Sequence, residues 1–205
     1  MNGLPFVIST ALAYGCAGTL ALRAVSSLCD TIVPFDDGPV PGRPPTIALI
    51  CGAAIVGGVL ASRGVPLPTL GICAVLIVSL AACWYSDVRC GIVPDYFTLA
   101  PLAFVVVVSL AGHEFVPLLS AAAAFVPAAI VAFLSKGRGL GWGDVKIVAL
   151  GAAVLGLTTS VLAFVAACVG AVAIAALRRR RAEPIAFAPY LAGSLALAVA
   201  LPGSR

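Results

Sequence analysis

Charge is what this sequence has least of. Its 205 residues hold 12 Lys or Arg, 8 Asp or Glu and 1 His, so charged side chains make up 10% against 62% hydrophobic. The mean hydropathy is +1.16. Soluble domains are about half apolar and a quarter charged, so this composition excludes one and points to a membrane protein. Other absences narrow the class further. The apolar runs do not alternate with polar residues, which argues against a β-barrel. Backbone groups in lipid must then be satisfied within helices. None of the seven cysteines (Cys16, Cys29, Cys51, Cys73, Cys83, Cys90 and Cys168) forms a C-x-x-C pair, and most lie inside apolar runs. They read as small buried hydrophobes, with neither a disulfide framework nor a zinc site indicated. The N-terminus lacks a basic segment and a clear cleavage site, so it reads as a retained first span. No internal repeat or low-complexity tail is evident.

What is present is a series of apolar runs separated by breakers. The runs predict helices at about 5–25, 46–62, 68–86, 95–111 and 115–134, then two short helices within 145–177, and a last one at about 185–202. The 145–177 run is too long for one span at 1.5 Å per residue and tight for two. Its only polar interruption is Thr158-Thr159-Ser160, so the turn is expected there. The expected fold is all-α: a polytopic bundle of about eight transmembrane helices, forming one domain.

The few basic residues set an orientation. The loops after helices 1, 3, 5 and 7 hold Arg23, Arg43, Arg89, Lys136, Arg138, Lys146 and Arg178 to Arg181, while the opposite side holds only Arg63 and Arg205. Basic loops face the cytoplasm, so both termini are expected outside. The run Arg178–Arg181 reads as a topology anchor, and no nucleic-acid partner is expected.

Two acidic residues then stand out. Asp87 ends the third helix and Asp144 opens the sixth. Those helices run in opposite directions, so both aspartates are expected at the cytoplasmic membrane face. Close carboxyls share a proton, and one can then act as base on water while the other acts as acid toward a peptide carbonyl. Gly137, Gly139, Gly141 and Gly143 leave the backbone before Asp144 bare, open to a close-lying substrate strand or to conformations that other residues avoid. Blander readings stand beside these. Aspartates at helix ends are often solvated, and Asp144 suits a helix N-terminus. Lys146 reads as a snorkelling interface residue or a local ion partner. His113, beside Glu114, reads as a turn residue.

Gly141-Trp-Gly-Asp-Val-Lys146 resembles the G-x-G-D-hydrophobic-K motif of the type IV prepilin peptidases, a family of membrane aspartic proteases. Asp87 is followed by Pro94-Asp95 and then Thr98, similar to the family's other motif. Ile185-Ala-Phe-Ala-Pro-Tyr-Leu191 is similar to a third segment, with Ala186 and Ala188 in place of its proline and glycine. Together the similar segments fall within about 68–200.

The resemblance implies a catalytic pair, Asp87 and Asp144, with Gly141, Gly143, Lys146, Pro94 and Asp95 shaping the site. It implies a pilin or pilin-like precursor as substrate, with pilus or secretion assembly proteins as further partners in the cell membrane. No cofactor is expected. Larger members carry a zinc-binding cytoplasmic domain after the first helix and also methylate the new N-terminus. This chain has a loop of about twenty residues there, so it is expected to be a short form without methyl transfer. Two other readings remain open: a small transporter or channel using the aspartates as a proton or cation site, and an inactive structural relative.

Overall fold

The computed structural model describes residues 3–32, 45–135, 140–177 and 186–201, and no strand occurs among them. They form eight α-helices and one 3-10 turn. Among the described residues four helices are long and apolar enough to cross a membrane, and further apolar helices are shorter. Side chains such as Phe104, Leu119, Phe133, Leu162 and Val172 are exposed. Water would penalise that apolar surface, whereas lipid accommodates it. The chain divides into two compact units, Met1–Ile92 and Val93–Arg205.

The first unit holds α1 (Leu4–Ile32), α2 (Thr46–Ser62) and α3 (Leu67–Cys90). Its first two helices meet along small residues. A Cβ on Gly15 or Gly18 would contact Ala54 or Ala53, and one on Gly57 would lie 2.5 Å from the ring of Tyr14. Close backbone approach of this kind replaces the hydrophobic effect as the packing force in lipid. The Tyr14 hydroxyl donates to the carbonyl of Leu70 and so ties α1 to α3.

The second unit begins with the 3-10 turn at Asp95–Phe97 and continues with α4 (Leu99–Ala111), α5 (Val116–Leu134), α6 (Trp142–Leu155), α7 (Leu157–Leu177) and α8 (Ala188–Ala200). The short helix α6 packs against each of the other four. From Val145 to Leu155 all of its residues but Lys146 and Val154 are buried. Gly151 lets α7 and α8 close on it, since a Cβ there would lie 2.8 Å from Leu195 and 3.0 Å from Ser160.

Four expectations change. The first helix runs on to Ile32, two turns past its expected end. The third continues to Cys90, so Asp87 lies inside its last turn rather than at its very end. The stretch expected as one helix from 95 breaks at Thr98 into the 3-10 turn and α4. The 145–177 run does split in two, but at Gly156 rather than at Thr158–Ser160. Gly156 has φ 84°, a conformation glycine adopts without strain. Ser160 is buried in the first turns of α7.

The cysteines bring a further correction. Cys29 and Cys90 form a disulfide, with Cα atoms 6.4 Å apart. They lie 61 positions apart and meet because α1 and α3 end side by side, which no local pattern announces. Cys73 and Cys83 are buried as expected, but Cys16 and Cys51 are exposed.

Candidate active site

The aspartate of the first unit sits in the closing turn of α3. Pro66 and Pro68 open that helix, and Gly91 ends it in the left-handed conformation, φ 66°. The Gly91 N–H donates to the Asp87 carbonyl at 3.0 Å, which satisfies a backbone group of the last turn. The Asp87 side chain is half-buried, with Tyr85 and Ser86 buried before it. Arg89 is held from two sides: it donates to the Tyr85 hydroxyl at 2.8 Å and to Asp30 Oδ1 at 2.6 Å. Asp30 belongs to α1, next to Cys29. The ion pair and the disulfide therefore join the same two helix ends. The Arg89 side chain is 28% exposed and that of Asp30 53%, so the pair contributes about 1 kcal/mol or less. The disulfide is the stronger tie.

The aspartate of the second unit sits three residues into α6. Gly141 is the N-cap, in the extended region at φ −73° and ψ 149°. Its N–H donates to Asp144 Oδ2 at 3.3 Å, and the half-buried carboxylate thus covers one unpaired donor of the helix start. The first turn also presents the positive end of the helix dipole to that carboxylate. A Cβ on Gly141 would lie 3.1 Å from Asp144 Oδ2 and would press on the carboxylate. Beneath this turn Val145 packs with Ala132 and Leu140, and Phe164 and Phe187 complete the cluster. The two rings meet edge to face, 5.9 Å apart.

For Gly143 the structure removes one of the two readings, a conformation that other residues avoid. It does not adopt a left-handed conformation. Instead a Cβ there would lie 2.7 Å from the Cβ of Val93. The bare Cα therefore accepts Val93 of the segment that leads into the 3-10 turn. Pro94 follows in extended conformation, φ −67°, as the cap of that turn. Asp95 then makes an ion pair with Lys146, so of the two readings of Lys146 the structure supports the ion partner. Thr98 is fully buried, and its hydroxyl donates to the Asp95 carbonyl at 3.3 Å.

The structure thus gathers Pro94, Asp95, Gly141, Gly143, Asp144 and Lys146 about one helix start in the second unit, and places Asp87 in the first. Gly137 and Gly139, Lys136 and Arg138, Arg43, Arg178 to Arg181, Ile185 and Arg205 lie outside the described residues. Three contributors went unnoticed in the sequence. Val93 carries no polar group, and only its contact with Gly143, fifty positions on, reveals it. Phe187 lies inside the third similar segment, so that segment did hold a signal. Leu140 lies between two glycines, where no periodic pattern marks it as core.

Comparison with known proteins gives the same region. The model of the type IV leader peptidase family matches residues 74–176, which include both aspartates. Two curated relatives, each a "Prepilin leader peptidase/N-methyltransferase" from Burkholderia pseudomallei (strains 1026b and K96243), are 31% identical over 188 aligned positions. Those alignments cover 84% of this chain and 57% of each relative. No solved structure matches the chain.

Proposed function

This chain belongs to the type IV leader peptidase family, and from that premise we propose that it is a multi-pass membrane aspartic endopeptidase. Its substrate is a pilin-like precursor, cut at the cytoplasmic edge of the precursor's apolar helix, and it works beside the proteins that assemble such subunits. The basic residues support this orientation in the cell membrane, with both termini outside. A single peptidase domain does the work. The observation that carries the reading is the construction around Asp144: a half-buried carboxylate at a helix start, in a turn where a Cβ on Gly143 would collide with Val93 and one on Gly141 would press on the carboxylate.

Asp87 and Asp144 are the proposed catalytic pair. The ionised one takes a proton from water as the water oxygen attacks the scissile carbonyl carbon. The protonated one gives its proton to the carbonyl oxygen. When the gem-diol intermediate collapses, the C–N bond breaks, the leaving nitrogen takes a proton from the first carboxyl, and a gem-diol hydroxyl returns its proton to the second as the new carboxyl C=O forms. Which aspartate begins protonated is a property of the pair. The reaction needs no metal and no cofactor. The 33–45 connection between α1 and α2 has no paired cysteines for zinc, and methyl transfer is not proposed.

The test is incubation of the purified protein with a candidate precursor, read by mass spectrometry. One cut at the membrane edge is expected, insensitive to a strong chelator and independent of any methyl donor. A methylated product, chelator-sensitive cleavage or an uncut precursor would each count against this reading.

A further inference from the structure

Val93 has no role in the motifs, yet its side chain meets the residue beside Asp144. A Cβ on Gly143 would lie 2.7 Å from Val93 Cβ, against an ordinary contact of 3.4 Å or more, a shortfall of 0.7 Å. The obstructing atom is a Cβ, fixed to the backbone, and not the end of a flexible side chain. Relief would therefore require the 93–95 segment or the start of α6 to move. Two residues on, Asp95 pairs with Lys146, which lies three positions after Gly143 and so on the same face of α6. The segment is attached along one face of the helix start at two successive points, one steric and one ionic.

We infer that Val93 is a positioning residue for Asp144: seated on the bare Cα of Gly143, it sets the register of the turn that presents the carboxylate. The glycine is required there because the neighbouring segment occupies the space a side chain would take. This inference rests on the leader peptidase reading, in which Asp144 acts on the substrate. The ion pair holds the same segment from solvent, and the steric contact sets how closely it lies.

The geometry gives a swap test that a general loss of stability would not reproduce. Gly143→Ala places two Cβ atoms in conflict. An ångström of misplacement costs on the order of 100-fold in rate, so kcat should fall by about that factor with KM little changed. Val93→Ala cannot relieve the conflict, because alanine keeps its Cβ. Val93→Gly can, because it moves the missing Cβ to the other partner. The double variant V93G/G143A should recover roughly tenfold of the lost rate, while V93A/G143A recovers little. Peptide-resolved amide exchange supplies the readout besides activity. Peptides covering 93–98 and 140–147 should exchange faster in G143A, with α7 unchanged, and slow again in V93G/G143A. Equal recovery by both double variants, recovery by neither, or unchanged exchange in G143A overturns the inference. A wild-type protein that cuts no precursor, yet shows this exchange pattern, would defeat the leader peptidase reading and leave the Val93 seat standing.

Discussion

The two units hold their aspartates by different means. In the first, Asp87 lies in the closing turn of a long helix, and the ties around it are discrete: the Cys29–Cys90 disulfide, the Arg89–Asp30 ion pair and the Tyr85 hydroxyl. In the second, Asp144 lies in the opening turn of a short helix that four others enclose. There the determinants are missing atoms: a Cβ would find the space taken at Gly143 and Gly151, and at Gly141 it would press on the carboxylate. The contrast has consequences for tolerance. A discrete tie can be cut and leave the rest in place, whereas an added methyl in a filled interior displaces whatever touches it. The first unit should therefore fail by loosening, and the second by misregistration.

The largest expected effect concerns the carboxyls themselves, where the two units should behave alike despite their different construction. Asp87→Asn and Asp144→Asn keep size and shape and remove the acid–base function. Each should lower cleavage roughly 100- to 10,000-fold with the protein still folded in the membrane. Quantitative cleavage of a purified precursor, with amide exchange to verify folding, checks this. Near-normal turnover by either variant would remove that residue from the proposed pair and leave the two units unequal in function as well.

Next in size is the disulfide. A typical bridge contributes about 2–4 kcal/mol, partly by restricting the unfolded chain. Cys29→Ser, in protein purified without reductant, should speed exchange in α1 and in the last turns of α3 while leaving α6 unchanged. Alkylation in denaturant should label two more cysteines after reduction than before. The bond also probes orientation. The proposed topology places the end of α3 toward the cytoplasm, where disulfides are rare. Cells quenched with an alkylating agent before lysis should then show Cys29 and Cys90 as thiols. If both are already bonded in the quenched cells, the cytoplasmic assignment of this end of α3 is wrong.

How far the sequence was readable follows from the range of each determinant. The helix runs were legible because lipid demands continuous apolar stretches, and both aspartates could be placed at helix ends because breakers flank them. The turn at Gly156 was misplaced because polarity was read as the breaking signal. In an apolar setting a hydroxyl need not break a helix: Thr10 and Thr19 donate to carbonyls four residues back, and Ser160 Oγ is buried within α7 with no partner among the described residues. Backbone conformation decided the matter, and the glycine beside the threonines was the informative residue. The disulfide and the Val93 seat were not legible at all. Each depends on two segments fifty or more positions apart lying in contact, and neither leaves a periodic trace.

The smallest expected effects come from the two ion pairs, one in each unit, which differ mainly in what stands behind them. Arg89–Asp30 has side-chain exposures of 28% and 53%, and Lys146–Asp95 of 21% and 60%. Pairs so open to solvent contribute about 1 kcal/mol or less. Asp30→Asn removes a tie that the adjacent disulfide duplicates, so exchange in the last turn of α3 should barely change until the disulfide is reduced. Asp95→Asn removes a tie backed by the Val93 contact and by no covalent bond among the described residues. Exchange over 93–98 should then rise several-fold, up to the roughly fivefold that 1 kcal/mol allows. High salt should mimic Asp95→Asn in the wild-type protein, because screening weakens an exposed pair. Should Asp30→Asn loosen its unit more than Asp95→Asn while the disulfide is intact, covalent backing would not be what separates the two units.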